Sequence, residues 1–150
     1  MQYCDDVRQE IGNKLSLMGC YSNDLVVQTM PTILPKLCAV IHIIIPRDEP
    51  FSKLTIRAVL NEDTTLAELE IPDEVLSKSQ AAIRDDGDAR GVLINAIMTF
   101  TPLPVAEEGN LKVFAEGDDK TLVGNTLRLR QGAHPDFLTD STNSLSITHD

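Results

Sequence analysis

The chain has 150 residues, 42% of them hydrophobic, enough to bury one core without disulfide or metal staples, so a single folded domain is expected. Its 23 acidic against 13 basic residues leave a formal net charge of −10, which repels phosphate backbones and anionic lipid at long range. Nucleic acid and membrane surfaces are therefore poor partners for it.

The opening MQYCDDVRQE has no basic start followed by an apolar run, so no secretory leader is expected and the chain should stay in the cytoplasm, or in a virion if phage-encoded. Within it QYCDDVR reads as a candidate strand. Next, GNKLSLMGCYSNDLVVQ reads as two strands, over 14–21 and 24–29, joined at Ser22-Asn23-Asp24. Leu15, Leu17, Gly19 and Tyr21 are expected to face the core, with Gly19 permitting close packing or a bulge. The apolar run from Leu37 to Pro46 has half the roughly 20 residues a membrane-spanning helix needs. It reads as a strand over 37–45 that is apolar on both faces. Such a strand belongs at the centre, covered by a second sheet on one side and by loops or a partner on the other.

Period-two alternation continues in KLTIRAVL, where Leu54, Ile56, Ala58 and Leu60 oppose Lys53, Thr55 and Arg57. It recurs over 65–71, over 91–101 (Val92, Ile94, Ala96, Met98, Phe100) and over 110–116 (Leu111, Val113, Ala115). A last strand is expected over 121–130, forming a hairpin with the one before. PDEVLSKSQAAIR predicts one short helix, with Pro72 in the first turn, Asp73 and Glu74 at the positive end and Arg84 at the negative end. Short strands separated by Gly-, Asn- and Asp-rich turns at Asn61, Glu107 and Glu116 predict an all-β, antiparallel sandwich over residues 1–130. Residues 131–150 contain no Lys or Arg and only scattered apolar positions, and read as an extended C-terminal tail or arm. Phe137, Leu138, Leu145 and Ile147 are its candidate partner-binding anchors.

Reactive chemistry is harder to find. Cys4, Cys20 and Cys38 are odd in number and form no C-x-x-C pair, the pattern of reduced thiols. Joined by His42 they make an imaginable zinc set, but ligands so far apart in sequence depart from the close pairs of structural zinc sites. His42 inside AVIHIII reads instead as a hydrogen-bonded core or interface residue. Asp85, Asp86 and Asp88 around Gly87 offer oxygen ligands to calcium, although their spacing is not that of an EF-hand and no bidentate Glu follows. Glu68 and Glu70 alternate with Ala67, Leu69 and Ile71 as the outer face of a strand would. There is no phosphate loop, dinucleotide fingerprint, nucleophile elbow or H-E-x-x-H, so no catalytic residue and no cofactor is expected.

The residues Cys4, Asp5, Asp6, Val7 and Arg8, followed by Lys14, Leu15, Leu17, Gly19 and Tyr21, carry a resemblance. So do Leu34, Pro35 and Leu37 ahead of the apolar strand, and the closing hairpin. Over residues 2–130 the chain resembles an uncharacterised family of small bacterial and phage proteins, a domain of unknown function. It departs from the family pattern where Asn13 separates Gly12 from Lys14. The resemblance implies an immunoglobulin-like β-sandwich and brings no activity or functional residues with it.

The expected function is a non-enzymatic protein-binding or assembly module, one form being a phage virion or accessory component, with a protein partner or further copies of itself as ligand. The alternatives are a sandwich responsive to a small ligand or calcium, and an enzyme without a recognisable motif.

Overall fold

The structure, a computed structural model, describes residues 1–133. In chain order its elements are β1 (Gln2–Glu10), β2 (Lys14–Tyr21), β3 (Asp24–Val27), β4 (Thr32–Leu34), β5 (Leu37–Pro46), β6 (Leu54–Leu60), β7 (Thr64–Ile71), α1 (Asp73–Asp85), β8 (Gly91–Phe100), β9 (Leu103–Val105), β10 (Gly109–Gly117), β11 (Lys120–Val123) and β12 (Leu127–Gln131). The all-β class with one short helix is as expected.

The first sheet runs β2-β1-β5-β8, antiparallel throughout. The second runs β3-β12-β10-β6-β7, with β11 also paired to β10; β3 and β12 are parallel and its other ladders antiparallel. A short ladder of β4 with β9 forms separately. Between the two sheets lies one core. Tyr3, Ile41, Ile43, Ile45, Ile94 and Met98 reach into it from the first sheet, and Leu54, Ile56, Leu111, Val113, Leu127 and Leu129 from the second. Each such aliphatic side chain removed from water contributes roughly 1.5–3 kcal/mol before conformational entropy is subtracted. The Tyr3 hydroxyl crosses the core to donate to the Leu111 carbonyl at 3.2 Å, which satisfies the one polar atom that side chain buries.

The helix carries the chain from β7, an edge of the second sheet, to β8, an edge of the first. Leu76 is its buried anchor, and Gln80 donates to the Phe51 carbonyl at 2.9 Å. Pro72 stands one position earlier than expected, as N-cap, where its carbonyl accepts from Val75 and Leu76.

Four local expectations are corrected. The strands of 14–21 and 24–29 do not pair with each other, because β2 pairs with β1 in the first sheet and β3 with β12 in the second. The hairpin partner of β2 lies on its other side, across Gly12 (φ +82°) and Asn13 (φ +58°), the left-handed conformations that a tight strand reversal demands. Gly19 also has positive φ (+65°), with the Asp5 side chain packed where a Cβ would stand. Alternation is broken there. Leu15 and Gly19 are consequently exposed, Leu17 joins a small cluster outside the main core, and only Tyr21 packs against the core, half-buried. The span 121–130 is two strands, interrupted where Gly124 turns to donate to the Val113 carbonyl. Finally, β4 and β9 are three-residue strands, too short to show periodicity.

Candidate functional site

The outward faces of the two sheets differ in chemistry. On the second sheet Arg57 lies opposite Glu68 and beside Glu116, which it contacts at 2.5 Å, and its guanidinium stands 6.0 Å from the centre of the Phe114 ring. Further ion pairs, Lys112 with Glu62, Arg128 with Asp24 and Arg130 with Glu108, keep that sheet polar. Glu68 and Glu70 are exposed, as their alternation predicted.

The first sheet turns apolar residues outward along β5 and β8. Register places Val40 opposite Ile97, His42 opposite Asn95 and Ile44 opposite Leu93. Ile44 is 71% exposed, Leu93 56% and Ile97 42%, so adjacent branched side chains meet solvent on one sheet face. A cluster of this kind is what a partner surface covers. His42 is exposed, not buried as the run around it implied, and its Nδ1 is 2.7 Å from Asn95 Oδ1, a polar pair set among aliphatic neighbours. It is hydrogen-bonded, as expected, and sits on the open face.

Among the described strands β5 is also only partly paired along one edge. β1 pairs with it only through Gln2, Tyr3 and Cys4, opposite Val40, Ala39 and Cys38, and beyond Ile41 no described strand continues on that side. The Arg47 N–H donates to the Arg90 carbonyl at 3.0 Å, so odd-numbered residues of β5 direct their backbone groups at β8 and even-numbered ones at β1. The N–H and C=O groups of His42 and Ile44 therefore point to the side on which no described strand pairs with them. Pro46, which has no N–H, ends this length of the strand. A groove of about 320 Å³ lies against it, lined by Met1, Ile41, Ile43, Val113, Ala115 and Leu122 among others, with β11 on its far wall.

The three cysteines, distant in sequence, fall in one row: Cys20 opposite Cys4, and Cys4 opposite Cys38. All are free thiols, Cys4 and Cys38 buried and Cys20 exposed. Burial, with Cys38 and Cys20 alongside and the carboxylates of Asp5 and Asp6 nearby, pushes the Cys4 thiol up to about 11. It is thus a poor nucleophile. Next to the row, the Lys36 ammonium contacts Asp6 and holds its carboxyl below the usual carboxylate range. Burial, with a hydrogen bond to Asp5, raises the Tyr21 phenol.

Asp85 ends α1, Asp86 caps it, and Asp88 donates its backbone N–H to Asp86 Oδ1 at 3.1 Å. The Arg47 guanidinium donates to the carbonyls of Arg84 and Asp86, so a cation already borders this loop. Among the described residues no three His, Cys, Asp or Glu side chains converge as a metal site, neither here nor around the cysteine row with His42. Phe137, Leu138, Leu145 and Ile147 lie outside the described residues. Sequence reasoning found the doubly apolar strand but missed its partly paired edge, since pairing partners cannot be read from one strand.

A family model described as a family of unknown function (DUF6941) matches residues 1–130. The chain belongs to this family. The match ends one residue before the end of β12, so the DUF6941 domain and the two-sheet fold coincide. No curated protein and no solved structure matches the chain. Among the described residues of this DUF6941 member no helix is long and apolar enough to cross a membrane.

Proposed function

We propose that this protein is a non-enzymatic protein-binding and assembly module that associates through the first sheet. The observation that carries the reading is the exposed Ile44, Leu93 and Ile97 beside the length of β5 that, among the described strands, β8 alone pairs. Covering aliphatic side chains and pairing those strand groups in one event gives both affinity and register. One concrete form is a virion or accessory component whose copies are tied together by extended arms.

Size-exclusion chromatography with light scattering tests this on the full chain and on an Ile44→Asp, Leu93→Asp variant. The full chain is expected to elute as a discrete oligomer and the variant at 16.5 kDa, with unchanged far-UV circular dichroism. A full chain of 16.5 kDa would overturn the self-assembly reading.

A further inference from the structure

We propose that Cys20 and Cys4 form a peroxide-responsive pair, in which a hydroperoxide oxidises the exposed Cys20 and Cys4 then closes a disulfide with it between β2 and β1. The pair is independent of association through β5 and β8. Register places Cys4 opposite Cys20 on one side and opposite Cys38 on the other, so two possible bridges share one sulfur and exclude each other. Cys20 and Cys38 have β1 between them and do not face one another. Backbone hydrogen bonding separates the two choices. Even-numbered residues of β5 direct their N–H and C=O groups at β1, which makes Cys38 and Cys4 a hydrogen-bonded pair. The backbone groups of Cys4 are thereby turned to β5, and its pairing with Cys20 is of the non-hydrogen-bonded kind. Opposed residues of that kind have Cα atoms about 4.5 Å apart, against about 5.5 Å for hydrogen-bonded ones, and their side chains approach more closely. A disulfide accepts Cα separations of about 4.4–6.8 Å, so the register suits a bridge and favours Cys20 as the partner. The Cys38 sulfur is 3.7 Å from Thr99 Oγ1, on the strand away from Cys4.

Exposure sets the order of events. Cys20 meets solutes, whereas Cys4 and Cys38 are buried. The Cys20 sulfur attacks a peroxide oxygen: an S–O bond forms, the O–O bond breaks, and the second oxygen leaves as water with the thiol proton, the sulfur having been oxidised to a sulfenic acid. The Cys4 sulfur then attacks the Cys20 sulfur, an S–S bond forms, the S–O bond breaks, and the hydroxyl leaves as water with the Cys4 proton. Two thiols and one peroxide become one disulfide and two waters. The Cys4 thiol, pushed up to about 11, stays protonated and idle toward solutes, and Cys20 and Cys38 stand close enough to add to that rise. Against the one sulfur held beside it the same thiol has the advantage of an intramolecular step. A short labelling pulse therefore counts Cys20 alone, and the bridge follows more slowly.

The test treats the native full chain with equimolar hydrogen peroxide, alkylates the remaining thiols with N-ethylmaleimide in denaturant, and maps the unreduced peptides by mass spectrometry. A Cys4–Cys20 bridge with Cys38 alkylated is expected in most chains, and dithiothreitol should restore all the thiols. The same oxidation in denaturant, where register is lost, should give mixed pairings. A Cys38→Ser variant should form the native bridge unchanged, and a Cys4→Ser variant should hold Cys20 as a sulfenic acid that dimedone captures. A native Cys4–Cys38 bridge, a Cys20 crosslink between two chains, a Cys20 sulfenic acid persisting in the full chain, or cysteines that all remain alkylatable would each overturn the proposal. So would the same mixed pairings in native and denatured protein. Because the decisive readings come from the full chain and from Cys38→Ser, a Cys4→Ser protein that failed to fold would not shield the pair from refutation.

Discussion

The two halves of β5 are nearly alike in sequence and opposite in circumstance. Leu37 to Ile41 is buried on both faces and has a strand on each side along most of its length; His42 to Pro46 is buried on one face and, among the described strands, paired only with β8. Cysteine and valine fill the outward positions of the first half, in a small cluster with Cys4. Histidine, isoleucine and proline fill those of the second. The difference shows that hydrophobicity along a strand reports how much apolar surface exists, while pairing decides how much of it the monomer can use.

The widest contrast should appear in thiol labelling. Cys20 should react readily with a water-soluble disulfide reagent, and Cys4 and Cys38 only as fast as the domain opens, giving one labelled thiol per native chain and three in denaturant. Three rapid thiols would mean that the paired half of β5 is not closed. In urea unfolding, Ile41→Ala should lower stability by about 2–5 kcal/mol, because it empties a filled core position. Gly91→Ala, opposite Pro46 at the far end of the open half, should cost about 1–3 kcal/mol, since its Cβ would stand 2.7 Å from the Ile45 carbonyl oxygen. In the monomer, Ile44→Ala should change stability by no more than about 0.5 kcal/mol, and a cost near that of Ile41→Ala would erase the distinction between the halves.

The smallest effect belongs to Asp6, next to the paired half. Its folded-state carboxyl is held low by Lys36, so the contribution is complete above the unfolded value near pH 4 and is lost as pH falls through the folded value. Asp6→Asn should flatten the acid limb of a stability–pH curve slightly and leave the shape above pH 5 unchanged. An equal loss of stability on acidification in both proteins would assign the acid sensitivity elsewhere.

Much of this was legible before folding. Alternation located β6, β8 and β10, with Val92, Ile94, Ala96, Met98 and Phe100 all buried, because a strand between core and solvent must repeat every two residues. The helix was legible from Pro72, Asp73 and Glu74. Hidden were β4 and β9, whose three residues hold no period, and the break at Gly124 between β11 and β12. Gly19 misled the reading of β2, since its left-handed backbone interrupts an alternation that the letters alone continue.

Of the candidate site, the sequence by itself determined an all-β chain, a strand apolar on both faces and a net acidic composition, since composition and periodicity are local properties. Only the tertiary structure decided that β1 pairs with the first half of β5, that three distant cysteines share a row, and that a groove opens beside Ile41 and Val113. Those facts depend on which strands become neighbours, and long-range register is set by the packing of both sheets together, not by any one segment.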